Sequence, residues 1–138
     1  MPLFNVFDIA GSGMSAQSLR MNITASNIAN AETVASSPDK AYKARHPVFS
    51  ALVRQLGPRQ PAEVAVRTVG VVESQAPNQK RYAPGHPLAD RDGYIYESNV
   101  NLVEEMTNMI SASRSFQTNV EVLNTSKEML LATLRLGQ

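Results

Sequence analysis

The chain contains no cysteine and no tryptophan. Without thiols, no disulfide framework and no thiolate metal site can form, and a reducing or an oxidising compartment suits it equally. Aromatics are limited to four Tyr and four Phe, so a core must be built from aliphatic side chains and Met. No excess of charge of one sign exists: 13 Lys and Arg stand against 12 Asp and Glu, for a formal +1. Nucleic-acid proteins usually carry a large basic excess or a basic stripe, so this balance argues against that class. Long apolar runs are missing as well. Stretches such as Met129-Leu130-Leu131-Ala132 fall far short of the roughly 18 apolar residues of a spanning helix. No positive charge precedes Arg20, and Asp8 interrupts the first apolar stretch, so no cleavable signal peptide is expected. What is present, 138 residues with 43% apolar content and a mean hydropathy of -0.22, is the composition of one ordinary domain.

Proline divides the chain. Residues 1–35 hold only Pro2, residues 36–98 hold the other seven prolines, and residues 99–138 hold none. The two ends read as helices and the middle as strands and loops. The expected class is therefore α+β, with long terminal helices in 1–35 and 99–138 forming an antiparallel coiled-coil layer, and a small β-rich module in 36–98.

The C-terminal helix has a start and a stop. Asn101 is a good N-cap with Glu104 at the third position, Glu104 and Glu105 lie in the first turn, and Arg135 and Gly137 mark the end. Between them Leu102, Met109, Phe116, Leu123 and Leu130 recur every seven residues, beside Met106, Ser113, Val120, Lys127 and Leu134. Eight of these ten positions are apolar, the pattern of a coiled-coil seam, and Val103, Ile110 and Leu131 widen the stripe. The N-terminal helix repeats Phe7, Met14, Met21 and Ile28 at the same interval, with Ile9, Ala16 and Ile23 alongside. Asn5 with Asp8 is its expected cap and Ser36-Ser37-Pro38 its end. Gly11 and Gly13 each cost about 1 kcal/mol in a helix interior, which predicts either a local break or a close approach by another backbone.

In the middle, His46 to Leu56 reads as a strand or a short helix. Val64, Val66, Val69, Val71 and Val72 read as a strand with a bulge near Gly70, and Tyr94-Ile95-Tyr96 follows an Asp92-Gly93 turn. A module of this size is roughly 25 Å across. It cannot cover apolar stripes on helices of about 45 and 50 Å, so something outside the chain must. The alternative is a first helix broken at its glycines and folded with the rest into one globule.

Chemistry is scarce. His46 and His86 each precede proline and lack partner ligands. Asp90-Arg91-Asp92-Gly93 has its glycine too early for a calcium loop and reads as a turn. Gly11-Ser12-Gly13 follows no strand and lacks a third glycine, so it is not a phosphate cradle. No carboxylate pair has an acid–base partner, and neither catalysis nor a cofactor is expected. Asn27 and Asn30 flank Ile28 at the margin of the apolar stripe, where buried amides would need partners and could fix the register of packed helices.

Several blocks are familiar in kind. Ala25-Ser26-Asn27-Ile28-Ala29-Asn30-Ala31-Glu32-Thr33 resembles the N-terminal signature of flagellar axial proteins, although the Pro-Gly-Tyr that often follows is replaced here by Val34-Ala35-Ser36-Ser37-Pro38. Pro84-Gly85-His86-Pro87-Leu88-Ala89-Asp90 with Gly93-Tyr94, then Asn99-Val100-Asn101, Ala112-Ser113-Arg114-Ser115-Phe116-Gln117 and the end from Asn119 resemble the proximal-rod branch of that family. The resemblance spans the whole chain. It implies a structural subunit of the rod that crosses the periplasm in the flagellar basal body, exported without cleavage by the type III apparatus. Implied partners are other proximal and distal rod proteins, ring and export-apparatus components at the rod base, and copies of the chain itself, with no nucleic acid and no small-molecule substrate. Under this reading the residues that pack between subunits are Phe7, Met14, Met21, Asn27, Ile28, Asn30, Met106, Met109, Phe116, Val120, Leu123, Leu130 and Leu134. Competing readings are another small axial or junction protein, a coiled-coil adaptor, and an enzyme built on the β module.

Overall fold

The structure, a computed structural model, describes residues 2–54 and 63–136. Helix α1 spans Pro2–Ala29 and passes Gly11 and Gly13 without a break. It begins at proline, whose fixed φ and missing N–H suit a first turn, so Asn5 lies inside the helix and does not cap it. The helix also ends earlier than Ser36-Ser37-Pro38. The N–H of Asn30 donates to the Ser26 and Asn27 carbonyls at 3.2 and 3.1 Å, its Nδ2 donates to the Ser26 carbonyl at 2.8 Å, and Thr33 Oγ1 donates to the Asn30 carbonyl at 2.7 Å. The Asn-Ala-Glu-Thr turn thus closes its own helix.

Among the described residues five strands follow: β1 (Val34–Ala35), β2 (Arg45–Arg54), β3 (Glu63–Glu73), β4 (Lys80–Tyr82) and β5 (Tyr94–Glu97). They make two sheets. β2 and β3 form an antiparallel hairpin whose register slips between Val48, opposite Gly70, and Phe49, opposite Thr68. That slip leaves Val69 as the bulge expected near Gly70 and settles 46–54 as strand; Leu56 lies outside the described residues. The second sheet has the order β1-β5-β4, both pairings antiparallel. Val34 and Ala35, read from the sequence as part of the helical end, are its edge strand.

Helix α2 spans Leu102–Leu136, and Asn101 Oδ1 caps it by accepting from the N–H groups of Val103 and Glu104 at 3.1 and 3.4 Å. The helices lie side by side and antiparallel: Arg20 donates to Asn108 Oδ1 at 3.0 Å, and Gly13 faces Asn119. The hairpin packs along another side of α1, where Ser12 Oγ accepts from the N–H of Val66 at 3.1 Å.

Small side chains form the inside. Among the described residues the buried apolar ones are Ala10, Ala16, Ala41, Ala44, Ile95 and Ala112, and the largest fully buried side chains are Ile95 and Asn27. Accessible surface totals 9649 Å², against about 7,000 Å² for a compact monomer of this mass.

Candidate functional site

The helix contact runs along unexpected residues. On α2 the buried positions are Glu105, Ala112 and Ser126, which with half-buried Asn119 repeat every seven residues. On α1 the facing line holds buried Ala10, Thr24 and Asn27 with Gly13 and Arg20 at helical spacing. A Cβ on Gly13 would stand 2.9 Å from Asn119 Nδ2, so the close approach here is by a side chain and not by a backbone. The large apolar residues flank this seam. Phe7, Met14, Met21 and Ile28 are half-buried, as are Met109, Phe116, Val120, Leu123 and Leu130. Met106 is 50% exposed and Leu134 61%.

Where α1 ends and α2 begins, three asparagines join the elements. Asn27, 0% exposed, donates from Nδ2 to the Arg45 carbonyl at 2.8 Å, and its Oδ1 accepts from the Arg45 N–H and the Tyr42 hydroxyl, each at 3.0 Å. Asn78 Nδ2 donates to the carbonyls of Tyr42 at 2.9 Å and Glu97 at 2.8 Å. Asn99 accepts from the Ala44 N–H and donates to the Ala76 carbonyl, both at 2.7 Å. Backbone groups that no neighbouring strand serves still have to be hydrogen-bonded, and these amides serve them. Asn27 is therefore used within its own chain. Asn30 is half-buried and closes the helix end.

Glu105 lies beside this junction, 2% exposed, with Oε1 4.0 Å from His46 Nδ1 and Oε2 without a hydrogen-bond partner. His86 Nδ1 accepts from the Leu88 N–H at 3.1 Å inside a turn. Asp90 closes the β4–β5 hairpin: Oδ1 accepts from the N–H groups of Tyr94 at 2.8 Å and Asp92 at 3.0 Å, and Oδ2 from the Tyr96 hydroxyl at 3.1 Å. The Tyr94 N–H does most to hold this carboxyl below the usual aspartate range, and the hydrogen bond to Asp90 pushes the Tyr96 phenol up. Gly93, at φ 81°, makes the turn, and a Cβ there would meet Tyr82 and Pro84 at 3.0 and 3.1 Å. Among the described residues no group of three His, Cys, Asp or Glu could hold a metal ion, and no helix is long and apolar enough to cross a membrane.

The conspicuous surface is apolar. On α2, Val103 (74% exposed), Met106, Ile110, Met129, Leu131, Leu134 and Leu136 face outward, as do Val53, Val64, Val66, Val69, Val71 and Val72 of the hairpin. The sequence pointed to excess apolar stripe on α2. It did not point to the small-residue seam, whose only trace was the seven-residue spacing of Ala112, Asn119 and Ser126, nor to Tyr42, Asn78 and Asn99 as junction residues.

Known proteins carry the same blocks. The family described as "Flagella basal body rod protein" matches residues 7–34, which hold most of α1 and its closing turn, and the "Flagellar basal body rod FlgEFG protein C-terminal" family matches residues 91–136, from the Asp92-Gly93 turn to the end of α2. Over 138 residues the chain is 51% identical to the flagellar basal-body rod protein FlgC of Salmonella typhimurium and to that of Escherichia coli O157:H7, covering the whole of each. The FlgC of Yersinia enterocolitica is 47% identical over 140 residues, again across both full lengths. Half of all residues shared over the full length of both chains means that the chain belongs to the FlgC family of flagellar basal-body rod proteins.

Proposed function

We propose that the chain builds the proximal part of the rod, polymerising through α1 and α2 into a coiled-coil inner layer that surrounds the export channel and transmits torque from motor to hook. Family membership makes it a structural rod subunit of the basal body and not an enzyme. The observation behind the finer reading is an imbalance of burial. Among the described residues the buried apolar side chains are alanines and one isoleucine, while large apolar side chains stand exposed along α2 and the hairpin. A helix face that is apolar on the side away from its partner is normally a buried face, and neighbouring subunits would bury it. Other proximal and distal rod proteins, components at the rod base and further copies of the chain are the proposed neighbours, and passage through the export apparatus without a cleaved signal would bring it there.

Exposed residues test this without disturbing the fold. Met106→Asp with Leu134→Asp puts two charges where packed subunits would leave them unpaired, at a cost of several kcal/mol each. The purified double variant is expected to keep the circular dichroism of the unaltered chain, while cells carrying it lose swimming and electron microscopy shows no rods. Swimming cells with normal rods would refute the reading. A cytoplasmic adaptor would instead leave basal bodies intact when the chain is deleted.

A further inference from the structure

We infer that His46 and Glu105 form a pH-dependent latch between the base of the β2–β3 hairpin and the first turn of α2, closed while the imidazole carries a proton. The latch follows from the fold alone and does not depend on the rod reading. Glu105 is 2% exposed. Its N–H donates to the Asn101 carbonyl at 3.0 Å, which seats it in the first turn of α2, where the helix dipole favours negative charge. Oε2 has no hydrogen-bond partner, and Oε1 has His46 Nδ1 at 4.0 Å. A carboxylate taken out of water is destabilising unless a positive group compensates it. Among the described residues, His46 is the ion-pair partner that Glu105 has.

His46 is built to be that partner. Its backbone is fixed from both sides: Asn27 holds the N–H and carbonyl of Arg45, and Pro47 confines the residue before it to extended geometry. The imidazole is 45% exposed, so it exchanges protons with solvent while the fold stays closed. Histidine is the side chain that changes charge between about pH 5 and 8. The other charged and titratable groups on the packed elements have partners of their own. On α1, Arg20 donates to Asn108, one turn along α2 from Glu105. On the hairpin, Arg45 pairs with Glu73 at 3.4 Å, and before it Tyr42 gives its hydroxyl to Asn27. On α2, Glu104 is exposed and adds only negative charge. On the acid side of the histidine range, therefore, an imidazolium faces the carboxylate and ties hairpin to helix. As pH rises through that range the imidazole turns neutral, Glu105 loses its positive partner and the tie is released.

Urea unfolding of the full chain on the two sides of the histidine range, at about pH 5.5 and about pH 8, tests this. At the lower pH the folding equilibrium constant of the unaltered chain should exceed that of His46→Gln by about tenfold; at the higher pH the two should agree within about twofold. His46→Lys keeps its charge throughout and should hold the advantage over His46→Gln at both pH values. Adding Glu105→Gln should abolish both advantages; if that variant does not fold, the lysine and glutamine chains decide the matter by themselves. His86 is common to every chain and cancels. An advantage of the unaltered chain that is the same at both pH values would mark a packing contact and overturn the inference, as would a His46→Lys chain no more stable than His46→Gln.

Discussion

Asn27 serves Arg45 as a neighbouring strand would, supplying a donor to its carbonyl and an acceptor to its N–H while also taking the Tyr42 hydroxyl. Asn27→Ala leaves three groups without those partners, and each buried unsatisfied group costs about 1–3 kcal/mol. With some relaxation to water, a net loss of about 3 kcal/mol is expected in urea unfolding, and Asn27→Asp should also lose stability because it removes the donor. The glycines of α1 separate two effects. Gly11 has nothing within 4 Å of an added Cβ, so Gly11→Ala should stabilise the isolated chain by about 1 kcal/mol through helix propensity alone. Gly13→Ala has the same propensity gain but presses on Asn119, and its thermal midpoint should fall below that of Gly11→Ala. Asp90 gives a pH signature. Its folded pKa is lowered, so its contribution is complete above the unfolded value near ~4 and disappears as pH falls through the lower folded value. Tyr96 is raised, so its contribution holds below ~10 and is lost as pH rises through the folded value. Asp90→Asn should flatten the acid limb of a stability–pH profile read by circular dichroism.

At the scale of elements, the offset of Gly13 against Asn119 brings Pro2 level with Leu130. The last turns of α2 therefore run past the start of α1, and they carry Leu131, Leu134 and Leu136 outward. A chain ending at Leu130 should keep the helicity of the remaining residues when purified and still fail to restore swimming to a deletion strain. How the elements were legible follows from their physics. Long helices show in a sequence because large apolar residues recur every seven positions, and β3 shows through its valines. The strand nature of 46–54 is decided by β3 needing a partner, which no local pattern reports. β1 and β4 are too short to establish a period. The seam between the helices is invisible to hydropathy because Gly13, Ala112, Asn119 and Ser126 are chosen for being small. The asparagine junction depends on which carbonyl ends up nearby, and only the folded chain shows that. Asp90-to-Gly93 was legible as a turn because its glycine and carboxylate act within five residues of each other.

The whole molecule has one large apolar side chain fully buried among the described residues, Ile95. Ordering a residue costs about 1–2 kcal/mol of backbone entropy, and a thin interior offsets that poorly along two long helices. In the purified monomer, amides of 6–33 and 102–136 should exchange faster than those of Val64–Tyr96; in isolated rods both helices should gain protection. Strong protection of both helices in a verified monomer would mean that the chain covers its own stripes.

The antiparallel seam also sets an order of events. Arg20 and Asn108 are 88 residues apart in sequence, whereas Asn27 and Arg45 are separated by 18. Closing the shorter loop costs less entropy, and folds dominated by distant pairings form slowly. In a chain that emerges from its N-terminus, α1 and the hairpin can meet early, but the seam of α1 has no counterpart until nearly the last residue is free. Folding in such a chain ends with arrival of the C-terminus, so a pause or premature stop within α2 leaves half a seam and no finished subunit.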